Sequence, residues 1–128
     1  MDIQELITKA TVNQKMGEDR EALQYYNQAF EALTDEAANY AHMQPFTVKD
    51  GIDPEGKKVR TILPRYFEVT KTYLKRDETV YIVLKNMAVI YHKSGDINSA
   101  INALEQAIEL APDGHDVSDA QNGLDNLK

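Results

Sequence analysis

Apolar and small residues in the segment 81–114 form two sets with spacings of three and four, separated by Gly95 and Asp96. These spacings place each set along one side of an α-helix. Gly95 suits the left-handed conformation that ends a helix, and Asp96 can cap the next one. The pattern predicts a helical hairpin that ends before Pro112. Its packing residues are Leu84, Met87, Ala88 and Tyr91, then Ala100, Leu104 and Ala107.

The same pattern occurs near the start of the chain, on either side of Gly17. If a first repeat is taken from residue 3 to residue 36, its small and apolar residues have the same internal positions as those of the segment 81–114. A repeated pattern of this length predicts a second helical hairpin of the same kind. The matching residues are Leu6, Ala10, Ala22, Tyr26 and Ala29.

Both segments resemble the tetratricopeptide repeat (TPR). They share its small residue at position 8, glycine at 15, alanines at 20 and 27 and a large apolar residue at 24, and Pro112 supplies its proline at 32. The first segment departs from the pattern at Lys9, Asn13 and Thr34. The resemblance implies an all-α fold in which helical hairpins stack as a short right-handed solenoid, and it implies a module that binds other proteins.

Residues 37–80 lie between the two repeats, and we interpret them as a degenerate middle repeat. Its first helix is predicted at about Asp35 to Met43 and its second at about Pro64 to Lys75, where the proline suits the first turn. The residues 45–63 between these helices are predicted to form an insert.

The insert has the pattern of a β-hairpin. Its two β-prone stretches are residues 46–48 and 59–63. They flank residues 53–56, Asp-Pro-Glu-Gly, which have the proline and glycine of a tight turn. A β-hairpin projecting from the middle repeat is therefore predicted.

Residues 115–128 have the pattern of one terminal helix. Val117, Ala120, Leu124 and Leu127 follow one another at spacings of three and four. Such a helix would cap the exposed side of the last repeat, as solenoids require. With it, residues 1–128 are predicted to form a single TPR domain.

Composition narrows the functional classes. The chain has no cysteine, which excludes disulfides and thiolate chemistry, and no apolar run approaches the roughly 18 residues of a membrane span. The three histidines are far apart in sequence, and no catalytic or nucleotide-binding motif is present. We expect a non-enzymatic protein without a metal or another cofactor. The N-terminus has no secretory-signal pattern, so the expected location is the cytoplasm.

The charge is unevenly distributed along the chain. The net charge is −7, yet eight basic residues stand against four acidic ones between Lys49 and Arg76, a local net of +4. The overall charge makes binding to nucleic acid unfavourable for most of the surface. The basic residues of the insert are Lys57, Lys58, Arg60 and Arg65.

These four cations leave several alternatives open. They could contact an acidic protein partner, RNA, or the acidic repeats of a second copy in a homodimer. They could equally be solvated lysines and arginines that protect the edges of the hairpin from aggregation. An RNA- or ribosome-associated module with Phe46, Tyr66 and Phe67 as stacking residues is therefore the alternative function.

The TPR resemblance implies that the first helix of each hairpin lines a concave groove. The residues next to the packing stripe would face that groove, where a partner peptide or helix would bind. They are Gln4, Ile7, Thr11, Gln14 and Lys15 in the first repeat, and Ile82, Lys85, Val89, His92 and Lys93 in the last. The main hypothesis is an adaptor or assembly factor. The competing interpretation is that the insert or the terminal helix covers Ile7, Ile82 and Val89.

One subclass of the family binds the C-terminal carboxylates of chaperones. It does so with lysine and asparagine at the fifth and ninth positions of its first repeat. Those positions hold Ile7 and Thr11 here, so this mode of binding is not carried over.

Overall fold

The computed structural model describes residues 2–42, 49–52, 58–61 and 70–128. The helical segment at residues 70–74 is named α3. The other elements, in chain order, are α1 (Ile3–Lys15), α2 (Asp19–His42), β1 (Lys49–Ile52), β2 (Lys58–Thr61), α4 (Thr79–Lys93), α5 (Ile97–Glu109) and α6 (Ser118–Leu127). The described part of the chain is mainly helical, as the sequence predicted.

Helices α1 and α2 form the first hairpin. The carboxylate of Asp2 accepts a hydrogen bond of 2.8 Å from the backbone N–H of Glu5, which satisfies one of the free amides at the start of α1. Gly17, with φ of 80°, allows the chain to turn between the helices. The stripe that the sequence predicted is buried along both helices: Leu6, Ala10, Ala22, Tyr26 and Ala29.

Helices α4 and α5 form the second hairpin, which likewise has a glycine with positive φ at its turn and an aspartate that caps a helix. Gly95 has φ of 85°, and the carboxylate of Asp96 accepts from the N–H of Ser99 at 3.2 Å. The predicted packing residues of both helices are buried, except that Tyr91 is half-buried. Helix α4 is apolar on more of its surface than α1, since Val80, Tyr81, Val83 and Ile90 are buried as well.

Helix α2 corrects the predicted repeat boundary. It is a single helix of 24 residues, so the division predicted after residue 36 is wrong as a helix boundary. Neither glycine nor proline interrupts the segment, and Leu33 and Ala37 extend the buried stripe beyond Ala29. The predicted separate helix from Asp35 to Met43 is therefore the C-terminal part of α2 as far as His42.

The two hairpins are neighbours in space, because α2 contacts α4 directly. A single cluster of buried residues extends from Ala10 in α1 to Leu124 in α6. Helix α6 packs on α5 with Ala120 and Leu124 buried. Of the predicted helix from Pro64 to Lys75, residues 64–69 lie outside the described residues.

Strands β1 and β2 are antiparallel, with Lys49 opposite Thr61 and Ile52 opposite Lys58. The first strand thus lies just after the predicted stretch 46–48, which is outside the described residues. Strands joined by a short connection pair through the residues that immediately flank it. Since β2 begins at Lys58, its partner in this register begins at Ile52 and runs back to Lys49.

Residues from α3 and the turn after it attach to the second helix of each hairpin. The rings of Tyr73 and Tyr40 stack with centroids 4.9 Å apart, and the Arg76 guanidinium lies 4.0 Å from the centre of the Tyr73 ring. Arg76 also lies 4.0 Å from the carboxylate of Glu36 on α2. On the other side, ion pairs join Lys71 to Glu109 at 3.4 Å and Lys75 to Asp113 at 2.9 Å.

None of the helices within the described residues is both long enough and apolar enough to cross a membrane.

Alanine substitutions at two glycines should change the free energy of unfolding in opposite directions. Gly123 lies inside α6, and a Cβ there would sit 3.4 Å from Leu104 Cδ1, an ordinary contact. Gly123→Ala should therefore stabilise the fold by up to about 1 kcal/mol through helix propensity. Gly95→Ala should destabilise it by about 1–2 kcal/mol, because φ is positive at that position. Urea denaturation measures both changes, and equal effects of the two variants would contradict this account.

The Lys75–Asp113 pair predicts a pH effect. The hydrogen bond from Lys75 and its charge lower the pKa of Asp113 below its ordinary value of 3.8. The pair therefore contributes stability above that value, and the contribution is lost as the pH falls through the lower pKa of the folded state. An NMR titration of the Asp113 carboxyl carbon should show this low pKa in the native chain. Lys75→Gln should raise it, whereas the control Lys93→Gln should leave it unchanged.

Candidate functional site

Helix α4 presents four of the predicted groove residues along one face. Ile82, Lys85, Val89 and His92 follow one another at spacings of three and four, so they lie in a row. Ile82 and Lys85 are half-buried, whereas His92 is exposed and Val89 is 43% exposed. An exposed valine is ordinary when isolated, so its significance depends on its surroundings.

Val89 stands at the edge of a cavity of about 310 Å³ between α4 and α6, which we name the α4–α6 cleft. Ala88 and Leu104 are buried side chains in its wall. The cleft therefore combines apolar walls with polar groups from both helices. Its lining residues are Ala88, Val89, His92, Leu104, Asp119, Gly123, Asn126 and Leu127.

Helix α6 packs against α5 near Gly123, where a Cβ would make an ordinary contact with the tip of Leu104. Asn126 and Leu127 reach the cavity one turn later.

An ion pair fixes the polar edge of the cleft. Lys85 Nζ lies 3.8 Å from the carboxylate of Asp119 on α6 and 5.5 Å from the centre of the Tyr81 ring. Lys85 and Asp119 therefore neutralise each other in part. We infer that neither of these two side chains is the main charge available to a ligand at this surface.

Two predicted groove residues of α1 instead support the core. Tyr26 is fully buried, and its hydroxyl donates a hydrogen bond of 2.9 Å to Gln14 Oε1. Thr11 Oγ1 lies 3.3 Å from the same hydroxyl and donates to the carbonyl of Ile7 at 2.9 Å. A buried tyrosine needs such a partner for its polar end. Thr11 and Gln14 therefore have a structural role whether or not a ligand binds.

The ten predicted groove residues do not share one cavity. Val89 and His92 line the α4–α6 cleft, whereas Gln4 lines a separate cavity of about 570 Å³ at the N-terminal ends of α1 and α4. Ile7 is half-buried against the core. Lys15 and Lys93 are exposed at the C-terminal ends of α1 and α4.

The basic insert is only partly within the described residues. Lys57 and Arg65 lie outside them, and the backbones of Lys58 and Arg60 lie in β2 opposite Ile52 and Asp50. The cations that follow the insert, Lys71, Lys75 and Arg76, have acidic partners within the chain. Their charge is thus partly neutralised.

The two histidines whose side chains the structure describes, His92 and His115, have different surroundings. His92 lines the cleft, and the ring of His115 packs edge-on against Tyr81 with centroids 4.8 Å apart. Burial raises the pKa of the Tyr81 hydroxyl, and the nearby carboxylates of Asp119 and Asp116 raise it further. In the ranges that the structure describes, no group of three or more acidic or histidine side chains could hold a metal ion.

Sequence reasoning considered α6 as a helix that caps the last repeat or covers Val89, but it did not predict a cavity between α4 and α6. Asp119, Asn126 and half-buried Leu127 of α6 line this cavity. The available signal was Gly123, since a glycine inside a helix lowers helix propensity and marks a close approach or a missing side chain.

The comparisons with known proteins agree with the geometry of the second hairpin. Residues 81–113, which contain α4 and α5, match the family model of the tetratricopeptide repeat. This match confirms the predicted repeat, and the protein therefore contains a TPR. Repeats of this family generally mediate protein–protein interactions and are typically non-catalytic. The search of curated proteins gave no match to the chain.

The hydrogen bonds of the Tyr26 hydroxyl imply that alanine substitutions at two glutamines of α1 differ in their effect on stability. Gln14→Ala would leave the buried Tyr26 hydroxyl without its closest acceptor and should cost about 1–2 kcal/mol of unfolding free energy. Gln4→Ala removes an exposed side chain from the same helix and should change stability by less than about 0.5 kcal/mol. Chemical denaturation compares the two. Equal stability of both variants would show that these hydrogen bonds contribute nothing.

Proposed function

We propose that the protein is a non-catalytic interaction module, an adaptor or assembly factor, which binds a peptide or helix of a partner protein. The binding surface is formed by α4 and α6, with the α4–α6 cleft as its anchor site. The observation that carries this proposal is the exposed Val89 beside an apolar cleft on a confirmed TPR.

The dimensions of the cleft suit an anchoring side chain. At about 310 Å³, the cavity is at the lower end of the roughly 300–1,000 Å³ found for small-molecule sites. Protein interfaces commonly concentrate their binding energy in a few side chains that fill such pockets, surrounded by polar contacts. Ala88 and Leu104 would contact the anchor, and His92 and Asn126 would lie at its rim.

The rigidity of the surface also supports binding. Val89 and its neighbours lie on α4, whose opposite residues are buried in the common core, and α6 is held by Ala120 and Leu124. A site on packed helices loses little conformational freedom when a ligand binds.

Partner capture tests this proposal with a matched pair of variants. Val89→Glu should weaken capture by about tenfold or more in affinity, because it replaces the apolar contact at the edge of the cleft with a charged side chain. Val12→Glu is the control, since Val12 is 50% exposed on α1 and does not line the cleft. The intact chain and both variants would be immobilised and exposed to extract of the source cells, and bound proteins would be quantified by mass spectrometry.

Both variants must first show native circular dichroism and similar melting temperatures. Proteins that are lost with Val89→Glu and retained with Val12→Glu would support the cleft as the binding site. If every specific partner binds the two variants equally well, the cleft is not the site.

A further inference from the structure

Charged residues are segregated between the two helices of each hairpin. The first helices, α1 and α4, carry four lysines and one glutamate, a net of +3. The second helices, α2 and α5, carry seven acidic residues and one arginine, a net of −6. A chain with a net charge of −7 therefore carries an excess of basic residues on its first helices, and we call their exposed surfaces the basic side.

The acidic side already has a basic partner within the chain. Lys71 and Lys75 pair with Glu109 and Asp113, and Arg76 lies near Glu36. These contacts attach α3 and the following turn to the second helix of each hairpin. The acidic second helices are thus matched by basic residues of α3 and the turn after it.

On the basic side, the described residues form an ion pair with only one of the lysines. Lys85 pairs with Asp119. Lys15 and Lys93 form no ion pair with any residue in the part of the chain that the structure describes, and both are exposed. They occupy the same internal position of the two hairpins, at the C-terminal ends of α1 and α4.

The position of Lys93 relates this charge to the cleft. It follows Val89 by four residues and His92 by one, so one helical turn, about 5.4 Å, separates it from Val89 along α4. A ligand whose apolar side chain enters the cleft would therefore bring its neighbouring residues next to His92 and Lys93. Asp119, the acidic residue of the cleft, is occupied by Lys85.

We propose that the partner segment is acidic: it inserts one aliphatic side chain into the α4–α6 cleft and places aspartate or glutamate carboxylates beside His92 and Lys93. This inference rests on the proposed function and specifies the chemistry of the partner. The ion pair would lie at an exposed rim, so it would contribute specificity and association rate more than affinity.

A peptide-display selection tests this inference without knowledge of the natural partner. The probe is a library of random peptides of about 12 residues, long enough to extend over several turns of α4, selected on the immobilised full-length chain at low ionic strength. The expected result is enrichment of peptides with an aliphatic residue followed within a few positions by aspartate or glutamate. Their binding should be lost with Val89→Glu.

Charge variants then test the electrostatic part. Lys93→Glu should weaken the enriched peptides by about three- to tenfold, and peptides with lysine in place of the acidic residues should regain that loss on this variant. Lys9→Glu is the matched control, because Lys9 is an exposed lysine of α1 that lies near Tyr25, away from the cleft. It should have no such effect.

The remaining outcomes separate this inference from the proposed function. Enriched peptides that depend on Val89 but show no acidic preference, or a basic one, would overturn the acidic partner and leave the cleft as a binding site. Failure to enrich any peptide that depends on Val89 would count against both. If no peptide is enriched, light scattering measures whether the intact chain is a dimer. A dimer that Val89→Glu disrupts would mean that a second copy occupies the cleft.

Discussion

The contact between α2 and α4 is the interaction on which the rest of the structure depends. Among the described residues, the largest fully buried side chains are Tyr26 and Leu33 of α2 and Val80 and Val83 of α4, so each helix contributes two. This contact makes the two hairpins neighbours. It also requires α2 to continue past the length of one repeat helix, because Leu33 and Ala37 belong to the same buried stripe. The site on α4 is rigid because its opposite face is packed in this core.

The sequence predicted what is determined locally. Spacings of three and four, Gly17 and Gly95 at the turns, and the Asp96 cap were enough for both hairpins, since these signals act within a few residues. The continuity of α2 through residues 34–36 was missed, because the repeat pattern predicted a boundary there, whereas no glycine or proline interrupts the segment. Strand β1 at Lys49–Ile52 was not predicted, because β-propensity identifies β-prone residues, whereas the pairing is set by the connection between the strands.

The candidate site was predictable to a similar extent. Val89 and His92 were found from their position beside the packing stripe of α4, and they do line a cleft. Thr11 and Gln14 met the same criterion in α1, yet they lie at the Tyr26 hydroxyl, because a buried tyrosine needs hydrogen-bond partners. The contribution of α6 depends on its distance from α5, which apolar spacing alone does not encode. Charge segregation between first and second helices becomes visible only when the pairing of the helices is known.

The central claim is that the α4–α6 cleft binds a partner protein, and site-specific photo-cross-linking tests it most directly. A photo-cross-linking amino acid would replace Val89 in one full-length sample and Val12 in another, because both valines are similarly exposed and only Val89 borders the cleft. Irradiation in the source cells, followed by mass spectrometry, identifies what each position touches. The account predicts a discrete protein cross-linked at position 89 and absent at position 12. The same set of weak products at both positions would contradict it.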